Sequence, residues 1–447
     1  MARVSPDGSR VVSDEDVVEQ ASFLLPRPGK TLTALTTSAL ALPGIAGSAR
    51  ADAPIESASA SAAFSYYKED NLSPGRFFND GGGSRDRYEV FTGQLRFDLP
   101  VADRVDVGVD LLYEEMSGAS PWYVLPDNNT GERLQVMSGA TIDDTRFDAL
   151  VDVDFYLDRG KDTLSAGVST EKDYLSINFG IGTERNYNDK NTTLSAAGAF
   201  SYDWIDPTDP SFSLALPSTG EKWAIDLFAG LSQILSRSST LAFTINYKHS
   251  DGYLADPYKA IARIDVNGSN IISDIRPDEK DQVSLLARYR HHFEAVTGSL
   301  HADYRFYADD WGINSHTVDL AWYQNFFEWL TITPSIRWYS QSKADFYDTL
   351  LLNVTPKHHS SDYRLSPYGA ASYKIKAEVE FKDLWRYDAP PWLQTVGISD
   401  GMDLIASLSY ERYFSDGDFG LRDVSESEEG PGLVRFHVFA VSLTGRF

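Results

Sequence analysis

The sequence predicts an all-β protein: a transmembrane, antiparallel, up-and-down β-barrel of about sixteen strands, with short periplasmic turns and long extracellular loops. Three observations predict it. Apolar and polar residues alternate with a period of two along most of the chain. The connections between the alternating stretches are short and long by turns. The chain closes on a one-sided stretch, Phe439, Val441, Leu443 and Phe447, that ends on an aromatic residue, as the last strand of a bacterial outer-membrane barrel does.

The alternation is plainest in four places. Val105, Val107, Val109, Leu111 and Tyr113 interleave with Asp106, Gly108, Asp110 and Glu114. Phe147, Ala149, Val151, Val153, Phe155 and Leu157 interleave with Asp148, Asp152 and Asp154. Leu241–Tyr247 and Tyr373–Phe381 repeat the pattern. Residues two apart on a strand share a face, so each stretch has one apolar and one polar side. A soluble sandwich would bury the apolar side and a membrane barrel would turn it to lipid. The pattern itself fits both, and the leader, the composition and the order of the loops decide between them.

The leader comes first. Arg27 and Lys30 precede the small-residue apolar run TLTALTTSALALPGIAG, and Ala49-Arg50-Ala51 is an A-x-A cleavage pattern. Residues 1–51 therefore read as a leader with a secretory signal peptide, and 52–447 as one barrel domain. The apolar run is too short, and too broken by Pro43 and Gly44, to span a bilayer as a helix. Residues 1–26 are polar and acidic, an unusual extension ahead of the basic region.

Composition agrees with export. There is no cysteine, which excludes disulfides and thiolate metal sites. The formal net charge of −25 argues against nucleic acid as a partner. Mean hydropathy is below zero, and no apolar run approaches the length of a membrane helix. Trp122, Trp204, Trp223, Trp311, Trp329 and Trp338 fall near predicted strand ends, where aromatic girdles meet lipid headgroups.

The strands are expected at 57–69, 87–100, 103–116, 143–157, 162–171, 174–187, 191–204, 222–235, 239–251, 282–293, 298–309, 315–327, 329–342, 368–382, 402–415 and 433–447. Most are long enough for a tilted crossing of the hydrocarbon layer. Val101-Ala102, Arg159–Lys161, Asn188–Lys190, Ser236–Ser238 and Glu294–Thr297 are short connections; 70–86, 117–142, 205–221, 252–281, 343–367 and 416–432 are long. Short turns at one end and long loops at the other are the outer-membrane arrangement, and an even strand number puts both mature termini at the short-turn end. A tight break at Lys172-Asp173 and a long link at 383–401 depart from the regular pattern.

Ser117–Trp122, Ser138–Arg146 and Asn188–Leu194 resemble the signature segments of a bacterial outer-membrane barrel family classed as a domain of unknown function, the one numbered 3570. The resemblance extends over the mature chain. It implies the fold and an outer-membrane location in a Gram-negative-type envelope, and it brings no reaction and no catalytic residues. The implied partners are outer-membrane lipid and the outer-membrane assembly machinery; a periplasmic partner is left open.

Parity assigns the lumen. Asp98, Asp106, Asp110, Glu114, Asp148, Asp152 and Asp154 form an acidic wall, with Arg96 and Arg146 among them. Arg288, Arg290, Arg305, Arg337 and Lys374 lie on an opposite, mixed wall with His301, Lys376, Asp303, Asp319, Glu378 and Glu380. Walls of opposite sign set a transverse field across a pore; alternatively the charges pair between neighbouring strands and fill a polar interior. His249 beside Ser250-Asp251, and His358-His359 beside Ser360–Asp362, are the places to look for a hydrolase or a captured metal, and Asp416-Gly417-Asp418 is a calcium-like fragment. Such mixtures are common in loops, so no catalytic residue, metal site or cofactor is assigned. The expected role is a porin-like conduit for small solutes or cations. The alternatives are a loop-plugged scaffold or surface-binding barrel, and a barrel hydrolase.

Overall fold

The computed structural model describes residues 54–78, 84–119, 121–126, 133–137, 142–207, 219–266, 268–381, 403–421 and 434–446. The leader, the 383–401 link and Phe447 lie outside the described residues.

Sixteen strands close into one ring. They are β1 (Ser59–Glu69), β2 (Glu89–Ala102), β3 (Val105–Gly118), β6 (Ile142–Leu157), β7 (Gly160–Thr170), β8 (Tyr174–Tyr187), β9 (Thr192–Ile205), β10 (Gly220–Ser236), β11 (Ser239–Gly252), β14 (Glu279–Phe293), β15 (Gly298–Asp309), β16 (Asn314–Phe327), β17 (Leu330–Gln341), β19 (Tyr368–Glu380), β20 (Asp403–Asp416) and β21 (Arg435–Arg446). Every neighbour in the ring is antiparallel, and β1 closes it by pairing with both β2 and β21, Ala63 facing Gln94 on one side and Ser442 on the other. Each expected strand overlaps one of these, in order, with ends displaced by no more than three residues. The remaining strands belong to the long loops: β4 (Pro121–Pro126) pairs with β5 (Arg133–Met137), and β12 (Ala260–Asp265) pairs with β13 (Gly268–Ser273) and with β18 (Leu351–Leu352).

The short turns gather at one end of the ring. In one of them the chain enters β7 through Gly160 at φ +139°, where a Cβ would stand 1.9 Å from the Glu184 carbonyl oxygen, so only glycine fits. Asn188, Asp189 and Lys190 carry another turn with positive φ, which Asn and Asp tolerate best among residues with a side chain. The opposite end carries the long loops. Its two tight connections are 171–173, where the Glu171 amide donates to the Tyr174 carbonyl, and 310–313.

The side-chain faces follow the alternation. Leu95, Val151, Phe155, Ile245, Leu285, Ile336 and Ile375 are exposed although large and apolar, and they point away from the ring axis. Phe439, Val441 and Leu443 do the same on β21. A continuous apolar exterior around a closed ring leaves no sheet edge and no backbone donor for lipid to strand; the fold is a transmembrane β-barrel. Trp204 and Trp223 stand at outward positions near the long-loop ends of their strands. Two of the expected girdle residues do otherwise. Trp311 is buried among Ile313, Ala344, Tyr347 and Leu365, and Trp122 packs against the loop cluster of Tyr123, Val136, Ala260 and Ala262. Strand-end position alone does not separate a girdle tryptophan from one folded inward with a loop.

Candidate functional site

On each strand the residues assigned to the lumen have the parity opposite to the exposed apolar ones such as Leu95, Val151, Leu285, Ile336 and Ile375. On the acidic wall, charge is knotted rather than bare. The Arg96 guanidinium lies 2.8 Å from Asp98 and 3.5 Å from Asp152, and also bonds Asp110 across the β2–β3 pair. Arg146 grips Asp148 at 2.7 Å. Lys161, a third cation on this wall, lies 3.4 Å from Asp154, whose other oxygen accepts from Thr163 at 2.5 Å. Asp106 sits directly opposite Asp154 in register, fully buried, and accepts the Ile55 amide at 3.0 Å. Neither Asp106 nor Glu114 has a basic side-chain nitrogen within 4.0 Å among the described residues. Seven carboxylates against three cations leave the wall acidic.

The mixed wall pairs differently. Asp303 accepts from Arg290 at 3.2 Å and lies 4.0 Å from Arg288. Arg337 holds Asp319 at 2.5 Å, and Lys376 holds Glu378 at 2.7 Å. Arg305 and Lys374 have no ion pair or side-chain hydrogen bond among the described residues. Arg305 is exposed although it points inward, so water reaches it from within the ring.

Loops close over the long-loop end. The loop between β11 and β14 and the loop between β3 and β6 are rooted at the ninth and tenth and at the third and fourth strands of the sixteen-strand ring, far apart around its rim. They nevertheless touch: the Lys259 ammonium, fully buried, donates to the Pro121 carbonyl. A third loop, between β17 and β19, joins both. Ser361 Oγ donates to the Ala260 carbonyl at 2.7 Å and accepts the Val124 amide at 3.2 Å.

Between the β11–β14 and β17–β19 loops lies a buried ion network. Arg276 reaches Asp274 at 2.6 Å and Asp362 at 2.9 Å. Arg364 bonds Asp362 at 2.8 Å and Asp256 at 2.6 Å. Burial alone would push the Asp362 carboxyl up; Arg364 and Arg276 outweigh it and hold it far below the usual carboxylate range. Asp256 is lowered against its own burial by Arg364 and Lys259. Burial wins at Asp274, which is raised, and burial with Arg364 nearby pushes the Lys259 ammonium down to about 8.

This network was not singled out from the sequence. A signal exists: Ser273-Asp274-Ile275-Arg276 and Ser361-Asp362-Tyr363-Arg364 are the same S-D-x-R tetrad, once in each loop. The loop histidines play other parts. His359 Nδ1 lies 2.9 Å from the Pro356 carbonyl oxygen, and Ser361 is committed to backbone partners. His249 faces outward and lies 2.9 Å from Asp281. Asp416 caps a single turn by accepting the Asp418 amide at 3.3 Å.

A closed ring with an apolar exterior, a charged interior and loops interlocked at one mouth defines a membrane β-barrel protein. The chain belongs to the family described as "Protein of unknown function (DUF3570)", whose model matches residues 32–390. No curated protein matches it. Among solved structures it is similar to a Pseudomonas aeruginosa FadL homologue, at 10% identity and TM-score 0.38 over 87% of this chain and 90% of that one. It is similar to the CymD monoaromatic hydrocarbon channel, at 10% identity and TM-score 0.40 over 88% and 89%. It is similar to Pseudomonas aeruginosa OccK3, at 11% identity and TM-score 0.39 over 87% and 94%.

Proposed function

We propose that this chain is an outer-membrane conduit for small solutes whose external mouth is closed by its own loops and opened by releasing them. One observation carries the reading: loops rooted far apart on the ring meet, lock through Lys259, Ser361 and the Arg276–Asp362–Arg364 network, and do so above an interior where Arg305 is open to water. The signal peptide and the apolar barrel exterior support an outer-membrane location. The carboxylate excess on the β2–β3–β6 wall supports a preference for cations over simple anions.

The lock is the place to test it. Arg276→Ala leaves Asp274 and Asp362 buried beside a lost partner, at a cost of about 3–5 kcal/mol borne by the loops. Planar bilayers should show rare, brief openings for the wild-type protein and frequent openings for the variant. Folded protein that stays silent in both forms would reject a conduit.

A second reading has its own observation. Ile264, Val266, Leu352 and Val354 are exposed apolar side chains on or beside the small β13–β12–β18 sheet of the lid. That sheet favours a surface-binding barrel, and silence in both bilayer experiments would favour it further.

A further inference from the structure

The mixed wall carries a feature that pairing does not use up. Arg305 on β15 faces Thr317 on β16, which faces Tyr339 on β17; Arg337 is the next inward residue on β17 toward the short-turn end. Arg337 faces Ser372 on β19, and Lys374 is the next inward residue there, again toward the short-turn end. The three cations thus descend one diagonal of the wall. With strands about 4.8 Å apart and about 3.3 Å per residue, successive Cα atoms on this diagonal are roughly 12 and 8 Å apart. Long flexible side chains shorten both gaps. The middle member is occupied by Asp319, while the first and last have neither an ion pair nor a hydrogen bond among the described residues.

The structure assigns this staircase, Arg305–Arg337–Lys374, as a path along which the lumen hands down small carboxylate-bearing solutes that also carry a positive group. The inference rests on the conduit reading and names its solute class. Guanidinium and ammonium groups recognise carboxylates, and Asp319 shows that Arg337 can hold one here. The compensating positive group follows from the other wall. β2, β3 and β6 are eight places round the ring from β14, β15 and β16, and their excess carboxylates repel a solute with net negative charge. A zwitterion is turned by the same field, its carboxylate to the staircase and its cation to the acidic wall. Two spaced cations without an ion pair among the described residues, Lys374 facing Glu411 across the β19–β20 pair, also suit passage better than one closed cluster, since each contact must be weak enough to break.

The test compares glycine betaine with an uncharged sugar of similar size, by swelling of proteoliposomes holding the full mature protein with the Arg276→Ala loops. Betaine should enter severalfold faster than the sugar, and the ratio should fall to about one in Arg305→Gln/Lys374→Gln. Arg305→Lys should restore much of it, which a merely structural role would not do. Heat-modifiable mobility on gels checks that each variant is folded. Sugar entry without a betaine advantage, or an advantage untouched by the double variant, overturns the staircase and leaves the conduit standing. Entry of neither solute, with the protein folded, rejects the conduit and the staircase with it.

Discussion

At the scale of the residue, parity does most of the work. Ile245 points to lipid and its neighbour Asn246 into the lumen, where the amide donates to Asp226. Ile245→Arg near the middle of the membrane should cost about 2–4 kcal/mol in unfolding titrations. Asn246→Arg should cost much less, because the new guanidinium meets water and the Asp226 carboxylate. Equal costs would mean that the faces are exchanged, since a one-residue slip swaps them. The inward or outward direction of Asp98, Asp152, Arg290 and Lys374 was legible in the sequence for this reason. Their partners were not. Arg96 serves three carboxylates on three strands because the register places Asp110 opposite it and brings Asp152 into reach; spacing along one strand contains none of that. The same limit hid the difference between Arg337, which finds Asp319, and Arg305, which makes no ion pair among the described residues.

At the scale of the element, the barrel strands were legible and the lid was not. Long alternating stretches carry their period over many residues. The lid strands are two to six residues long, AIARID and GSNIIS among them, and apolar side chains such as Ala260, Ala262 and Ile271 serve loop-to-loop packing rather than a bilayer. Their charges set a pH response. Asp362 and Asp256 have folded pKa values below the ordinary carboxylate value of about 3.9. A lowered carboxyl stabilises the closed lid at pH above the ordinary value, and that contribution is lost as pH falls through the folded one. Asp274, raised by burial, acts in the opposite sense, but Asp362 is displaced much further from its ordinary value. Closure should therefore hold between about pH 5 and 7 and weaken progressively below about pH 4. Channel-opening frequency across that range, compared between wild type and Asp362→Asn, checks it. The variant should open more often at neutral pH and respond less to acid.

At the scale of the whole molecule, ring and lid are one assembly. Tyr363 of the β17–β19 loop packs with Tyr67 from β1, Tyr88 and Val90 beside and within β2, and Phe436 and Val438 from β21. Tyr67 and Phe436 meet with their ring planes tilted by 43° and centroids 4.7 Å apart across the seam where the first and last strands meet. The lid therefore rests on the strand pair that joins the first and last strands of the ring. Bringing distant segments together is slow, because the entropy of closing the intervening loop is spent before any contact rewards it. Strand pairs local in sequence can form early, whereas the seat of Tyr363 exists only after β1 meets β21. Completion of the lid becomes a timer for assembly. In a refolding time course, residues 342–367 should stay open to added protease until the barrel gains its compact gel mobility, then become resistant in the same phase. Protection of that loop ahead of ring closure would show that the lid folds on some other support. On the seam-dependent course, a barrel caught half-assembled carries the 342–367 loop undocked and open to cleavage, so the accessibility of that one loop marks an unfinished molecule.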